Sequence, residues 1–358
     1  MTLAGSYRTL KTLILSVLLL LSLFLLASCG SDQSTTTSTQ AEDTPLTRRA
    51  QEVFATTRGS DSEFPGNMIT AAQLAAILQD PQRSQTISLL DTRPATELET
   101  QGAIPGSLWI KMQSIADPES LAKLPRDRTI VCISPTGHTA NQVCTTLRWL
   151  GYDAILLKYG MGSWTQTPAG KDITAADAQR AIDFPYPVIE AGGVPAGNSV
   201  VKATATFTAP PENEYDELQQ VAQEYMSDNV LDQEYPFNNI SATNLYDRLS
   251  DPVLREETWL LDIRSPAAYD SLGHIEGTIN IPWRRLGEPE NLGQLPENKL
   301  IVVIGDNGRD SGQVTGILKM LGYSAVTLRT GMAGWLPTPE TQEILDAVAA
   351  AHYPVATN

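Results

Sequence analysis

The chain has 358 residues and a formal net charge of −16, with 18% charged and 42% hydrophobic residues. So acidic a chain argues against nucleic acid or anionic headgroups as partners held by bulk charge, and the length exceeds one ordinary domain. Three cysteines and three histidines, scattered along the chain, exclude a disulfide framework and leave no metal-ligand cluster or cofactor motif to read.

Arg8 and Lys11 precede an apolar run from Leu13 to Leu26, followed by Ala27, Ser28 and Cys29. This reads as an export signal over residues 1–28, with an apolar run too short for a comfortable span of roughly 20 residues. Leu26-Ala27-Ser28-Cys29 resembles the bacterial lipobox, which implies acylation of Cys29, a membrane partner through that lipid and a place in the cell envelope. Gly30, where inner-membrane retention uses Asp, favours the outer membrane by the same resemblance. Removing residues 1–28 takes away Arg8 and Lys11 and no acid, so the net charge moves from −16 to −18. Residues 29–49 are Ser/Thr/Gln-rich without apolar period, and read as a disordered tether reaching roughly 20 to 25 Å.

Self-comparison divides the rest into two copies of one unit. Ile69-Thr70-Ala71 matches Ile240-Ser241-Ala242, and Leu89-Leu90-Asp91-Thr92-Arg93 matches Leu260-Leu261-Asp262-Ile263-Arg264. Leu150-Gly151-Tyr152 matches Leu321-Gly322-Tyr323, and Gly160-Met161 with Trp164 matches Gly331-Met332 with Trp335, all at an offset of 171. Tyr186-Pro187-Val188 and Tyr353-Pro354-Val355 close the copies. The expected boundaries are 50–188 and 222–358, joined by a Gly/Pro/Thr-rich connector over 189–221.

In each copy, β-branched runs at 87–90 and 129–133, then 259–261 and 300–304, read as strands covered on both faces. Val143, Cys144, Leu147 and Leu150, and likewise Val314, Ile317, Leu318 and Leu321, fall at helical spacing. Strand, turn, helix and strand in this order predict two α/β domains, each with a parallel sheet flanked by helices on both faces. Ligands of such sheets bind at the carboxyl ends of the strands, which points to the turns 135–138 and 306–309.

Leu90-Asp91-Thr92-Arg93 with Gly102-Ala103-Ile104-Pro105-Gly106, and Leu261-Asp262-Ile263-Arg264 with Gly273-His274-Ile275-Glu276-Gly277, resemble the first rhodanese signature. The second strand, its turn and helix, and Gly-Met-x-x-Trp resemble the remainder of the rhodanese domain. The resemblance implies a five-stranded parallel sheet in each copy, and sulfur transfer through a cysteine persulfide held as an anion by a loop and a helix N-terminus. It places the family's cysteine at Ser134 and Gly305, three residues before Gly137 and Gly308. Pro135 has no amide hydrogen to offer that loop. Thr139 and Asp310 stand where the family often has Arg, and Asp306 adds a second carboxylate to Gly305-Asp306-Asn307-Gly308-Arg309-Asp310. Asp310 is expected to cap the following helix.

Cys132 lies two residues, roughly 6.5 Å, deeper on its strand than Ser134. Its counterpart in the second copy is Val303, and that of Cys144 is Thr315, so both cysteines read as core residues. Ser134 as a hydroxyl nucleophile needs a base; His138, the one histidine of the first copy, reads as a solvated turn residue beside Thr136 and Gly137. Asp91 with Arg93, and Asp262 with Arg264, are expected to tie strand ends to neighbouring loops. His274 reads as a packing and hydrogen-bonding residue, and Trp164 and Trp335 as core aromatics.

The functional expectation is a catalytically degenerate tandem rhodanese-like lipoprotein that acts as a binding or scaffolding module for envelope proteins in a redox or transport assembly. The alternative is a periplasmic sulfurtransferase of the thiosulfate type with Cys132 as a non-standard thiol, binding a small anion or sulfane-sulfur ligand.

Overall fold

The computed structural model describes residues 42–165, 171–189, 212–228 and 234–356. The signal segment, Cys29 and most of the tether lie outside the described residues.

Each copy forms the expected parallel sheet. The strands Met68–Ile69 (β1), Ile87–Asp91 (β2), Leu108–Trp109 (β3), Thr129–Ile133 (β4) and Ala154–Leu157 (β5) run in the order β1-β5-β4-β2-β3. Their counterparts Asn239–Ile240 (β6), Thr258–Asp262 (β7), Ile279–Asn280 (β8), Leu300–Ile304 (β9) and Ala325–Leu328 (β10) run β6-β10-β9-β7-β8. Every pairing is parallel, and Cys132 aligns with Leu90 and Leu156. The central strands β4 and β9 are apolar on both sides because helices cover both faces.

The inner faces of the two sheets share one core. Leu90, Cys132, Val143, Cys144 and Leu156 of the first repeat pack in the same cluster as Leu261, Val303, Val314 and Ile317 of the second. The outer faces stay separate, around Ile69, Val131, Ile133 and Trp164 in one repeat and Ile240, Val302, Ile304 and Trp335 in the other.

The helices His138–Trp149 and Arg309–Met320 meet at this seam, and their facing residues are complementary rather than alike. Gly312 is the repeat counterpart of Asn141, and a Cβ on it would lie 2.0 Å from Nδ2 of Asn141. One turn on, Gly316 faces its counterpart Thr145, whose Cγ2 would lie 3.2 Å from an added Cβ. Glycine on one helix thus admits the larger side chain of the other. Gln142 and Gln313, also counterparts, each reach the opposite repeat: Gln142 Nε2 donates to Phe237 O at 2.6 Å and Gln313 Nε2 to Gly66 O at 3.0 Å.

Two boundaries differ from expectation. A helix spans Pro45–Ala55, so ordered structure begins inside the stretch read as tether. Thr44 and Thr47 form a reciprocal capping box with Pro45 at the first helical position, a start signal hidden in a Ser/Thr-rich composition. The helix Glu212–Asp228 likewise begins inside the expected connector, with Glu212 and Glu214 in its first turn. It lies on the first repeat, where Trp149 Nε1 donates to Leu218 O at 3.1 Å and Gln219 Nε2 to Ala116 O at 3.0 Å.

The ends of the repeats are exchanged. Tyr186–Ile189, which closes the first repeat, lies on the second: Ile189 pairs antiparallel with His274. Tyr353–Ala356, which closes the second, lies on the first, where Ala356 pairs antiparallel with Ala103. The helices before these tails cross over too. Asp177 of Lys171–Asp183 pairs with Arg329 at 2.8 Å, and Glu343 of Pro339–Ala349 with Lys158 at 2.5 Å.

Candidate functional site

The two loops sit where parallel-sheet geometry places a ligand, at the carboxyl ends of β4 and β9. In each, a glycine in the left-handed region (Gly137, φ 85°; Gly308, φ 83°) turns the chain into a helix, so successive backbone N–H groups point inward. The Gly-Met-x-x-Trp element backs each loop. Met161 N–H donates to Ser134 O and Met332 N–H to Gly305 O, both at 2.9 Å. Gly160 and Gly331 are required there, because a Cβ on either would lie 2.2 Å from Ser134 O or 2.4 Å from Gly305 O.

What fills the two cradles differs. In the first, Ser134 is fully buried, and its Oγ accepts the N–H groups of Gly137 at 3.0 Å and Ala140 at 3.1 Å. In the second, Gly305 offers no side chain and the Asp310 carboxylate folds into the vacated place. A Cβ on Gly305 would lie 2.3 Å from its Oδ2. That carboxylate accepts the N–H of Asp306 at 2.7 Å and of Ser311 at 2.8 Å. The residue at the N-cap is Gly308, so Asp310 closes the loop and holds one first-turn N–H from within the helix rather than capping it. Burial raises the Asp310 pKa against these hydrogen bonds. Asp306 is pushed up to about 7, by burial first and then by the charge of Asp310.

The loops also close on each other. Arg309 is fully buried; its Nε and Nη2 donate to Thr136 O in the opposite loop at 3.1 and 2.7 Å, its Nη2 to Thr174 Oγ1 at 3.1 Å, and its Nη1 to Asn307 O at 2.6 Å. The guanidinium stacks 4.8 Å from the Tyr159 ring centroid, and burial lowers its pKa to about 10. Asn141 Nδ2 adds a bond to Gly308 O at 3.3 Å. Glu340 completes the enclosure: its Oε1 accepts from Asn307 Nδ2 at 2.6 Å, Tyr159 OH at 3.0 Å and Lys158 Nζ at 2.8 Å. Tyr159, Thr174 and Glu340 carry no sequence signal for this role: Thr174 and Glu340 arrive on the exchanged helices, and Tyr159 meets Arg309 only because the two repeats pack loop against loop.

His138 departs from expectation. It is 6% exposed, opens the helix, and engages Thr136 Oγ1 through Nδ1 at 2.9 Å. Burial, then the nearby Arg309 and Arg329, hold its pKa well below the ordinary value. The turn reads as exposed in sequence, but the second repeat lies over it. Pro135, Thr136 and Thr139 are half-buried.

Cys132 and Cys144 are free and fully buried. Burial raises the Cys132 pKa well above that of an ordinary thiol and pushes Cys144 up to about 12, against the thiolate that sulfur chemistry needs. Arg93 and Arg264 behave as expected. Each is buried, pairs with Asp91 or Asp262 at 2.8 and 2.6 Å, and donates to Gly102 O or Gly273 O at 2.7 and 2.9 Å. His274 stacks on Tyr269 with centroids 3.8 Å apart. Trp164 and Trp335 are buried, and each also donates from Nε1 to the exchanged tail, to Pro354 O at 2.9 Å and Pro187 O at 3.1 Å.

Two five-stranded parallel sheets with glycine-turned amide cradles at their strand ends define a tandem α/β protein. The Rhodanese-like domain model matches residues 70–167 and 241–338, more than half of the chain, and the chain belongs to this family. Thiosulfate sulfurtransferase PspE of Escherichia coli (strain K12) is 35% identical over 81 residues, covering 23% of this chain and 76% of that protein. A sulfurtransferase of Allochromatium vinosum is 31% identical over 101 residues, covering 28% of this chain and 89% of that protein. The crystal structure of thiosulfate sulfurtransferase from Pseudomonas aeruginosa aligns with 80% of this chain at 13% identity and a TM-score of 0.28, and the chain spans 46% of its length.

Proposed function

We propose that this tandem rhodanese has lost sulfur transfer and acts as a binding or scaffolding module, held at the cell envelope through lipid on Cys29. The observation that carries the reading is the filling of both cradles: the Ser134 hydroxyl occupies one and the Asp310 carboxylate the other. Neither group forms a persulfide, and a thiosulfate or persulfide anion arriving at the second loop meets a carboxylate already holding the amides. Both remaining thiols lie in the shared core with raised pKa values.

The test is sulfur transfer from thiosulfate to cyanide on the mature protein, with Cys132→Ala as control. We expect no turnover above the uncatalysed rate. Turnover abolished by Cys132→Ala refutes the reading in favour of a sulfurtransferase with a non-standard thiol. Palmitate labelling abolished by Cys29→Ala is expected of the anchor, and unlabelled protein contradicts it.

A further inference from the structure

The exchanged tails are bound by the same constellation twice. In the first repeat, Tyr353 N–H donates to Trp164 O at 2.8 Å and Trp164 Nε1 to Pro354 O at 2.9 Å. Ala356 then pairs with Ala103 through N–H···O bonds of 2.8 and 3.0 Å. In the second, Tyr186 N–H donates to Trp335 O at 2.9 Å, Trp335 Nε1 to Pro187 O at 3.1 Å, and Ile189 pairs with His274 through bonds of 2.9 and 3.1 Å. The Tyr ring lies 4.8 Å from the Trp ring in both places. The Val side chain packs on the outer core of the repeat it visits.

Each feature reads one residue of an extended segment. Proline falls where only its carbonyl is used, so its missing N–H costs no bond. Glycine is needed opposite the strand: Gly102 has φ 72° and an added Cβ would lie 2.6 Å from Ala356 O, while Gly273 has φ 75° and an added Cβ would lie 2.7 Å from Val188 Cγ2. Main-chain bonds at both ends with side-chain pockets between them are the grammar of strand addition to a sheet protein.

We propose that each repeat carries a receptor groove for an extended Tyr-Pro-Val peptide, a separable ligand site whose resident occupant is the tail of the other repeat. The repetition of one Tyr-Pro-Val ligand on one receptor geometry supports this reading. A covalently linked tail acts at a millimolar effective concentration, so it excludes free peptide from the intact chain.

The test is a chain ending at Ala351, with a synthetic peptide of residues 352–358. Truncation is expected to speed amide exchange at Ala103 and expose Trp164, both in the first repeat, while exchange at His274 in the second is unchanged. The peptide restores both readouts saturably, its Tyr353→Ala version does not, and the intact chain takes up neither at the same micromolar concentration. Loosening confined to the second repeat, or no response to the peptide, overturns the proposal. If the truncated chain does not fold, Ala103→Cys with Ala356→Cys in the full chain decides. Hydrogen-bonded antiparallel pairs hold Cα atoms about 5.5 Å apart, within disulfide range, so an intrachain bridge is expected and its absence overturns the proposal.

Discussion

Ser134→Cys puts a thiol into the first cradle and tests whether the site is closed. The Ser134 Oγ accepts two N–H groups, at 3.0 and 3.1 Å, at the start of the helix His138–Trp149. A thiolate there inherits both, and thiols at helix N-termini have pKa values of roughly 3.5–7.5. Access opposes reactivity, because Ser134 is fully buried and Arg309 joins the two loops through Thr136 O. Arg309→Ala removes two hydrogen bonds that cross the seam, both to Thr136 O, and a third to Thr174 Oγ1 on the crossed-over helix. Bonds to a charged donor contribute about 1.5–3 kcal/mol each, and relief of burying the guanidinium offsets part of that. A net loss of about 3 kcal/mol raises the open population about 100-fold. The assay is the labelling rate with an aromatic disulfide, in a Cys132→Val, Cys144→Thr background that copies the second repeat's own residues. We expect slow labelling of Ser134→Cys and acceleration of about 100-fold when Arg309→Ala is added. Labelling of Ser134→Cys at a free-thiol rate with Arg309 present refutes the closed loop, and an unchanged rate in the double variant refutes Arg309 as its latch.

Asp306 holds a proton in the folded state up to about pH 7 that the unfolded chain releases near its ordinary carboxylate value. Folding therefore takes up a proton between roughly pH 4 and 7, and stability falls as pH rises through that window. Asp306→Asn is expected to raise the melting temperature at pH 8 and change it little below about pH 4, where both states keep the proton; an equal shift at both points elsewhere than to this proton. Gly312→Asn is expected to destabilise by about 1–3 kcal/mol through overpacking on Asn141, and adding Asn141→Gly should recover more than half of that in denaturant melts. Strict additivity of the two would refute the facing of these helices. Thr44→Ala should cost about 1 kcal/mol by removing the cap of Pro45–Ala55, read as a lower unfolding midpoint, and no change would mean that this helix does not share in the cooperative unit.

The repeat arithmetic carried much of this structure. Strand runs, the helix after each turn and the equivalence of Cys132 with Val303 were legible because periodicity and internal comparison are local signals. The Thr44–Thr47 box was equally local but was masked by a composition that resembles a tether. Burial of His138, the reach of Arg309 to Thr136 and the enclosure by Glu340 were not legible, since each depends on which repeat a helix or loop finally packs against. An exchanged tail leaves the same sequence pattern as an unexchanged one. Tyr186-Pro187-Val188 closes the first repeat in the chain and the second in space.

The two cradles also keep their structure with different groups inside them. A buried loop of inward N–H groups needs an acceptor whether or not it catalyses anything, since each unpaired amide costs about 1–3 kcal/mol. Ser134 and Asp310 meet that need by different routes, a hydroxyl from the strand end and a carboxylate from the helix's first turn. Once the loops are satisfied from within and pinned by Arg309, the seam between the repeats no longer requires a solvent path to either strand end. The shared core and the crossed tails then hold the repeats as one body, with both strand ends enclosed between its halves.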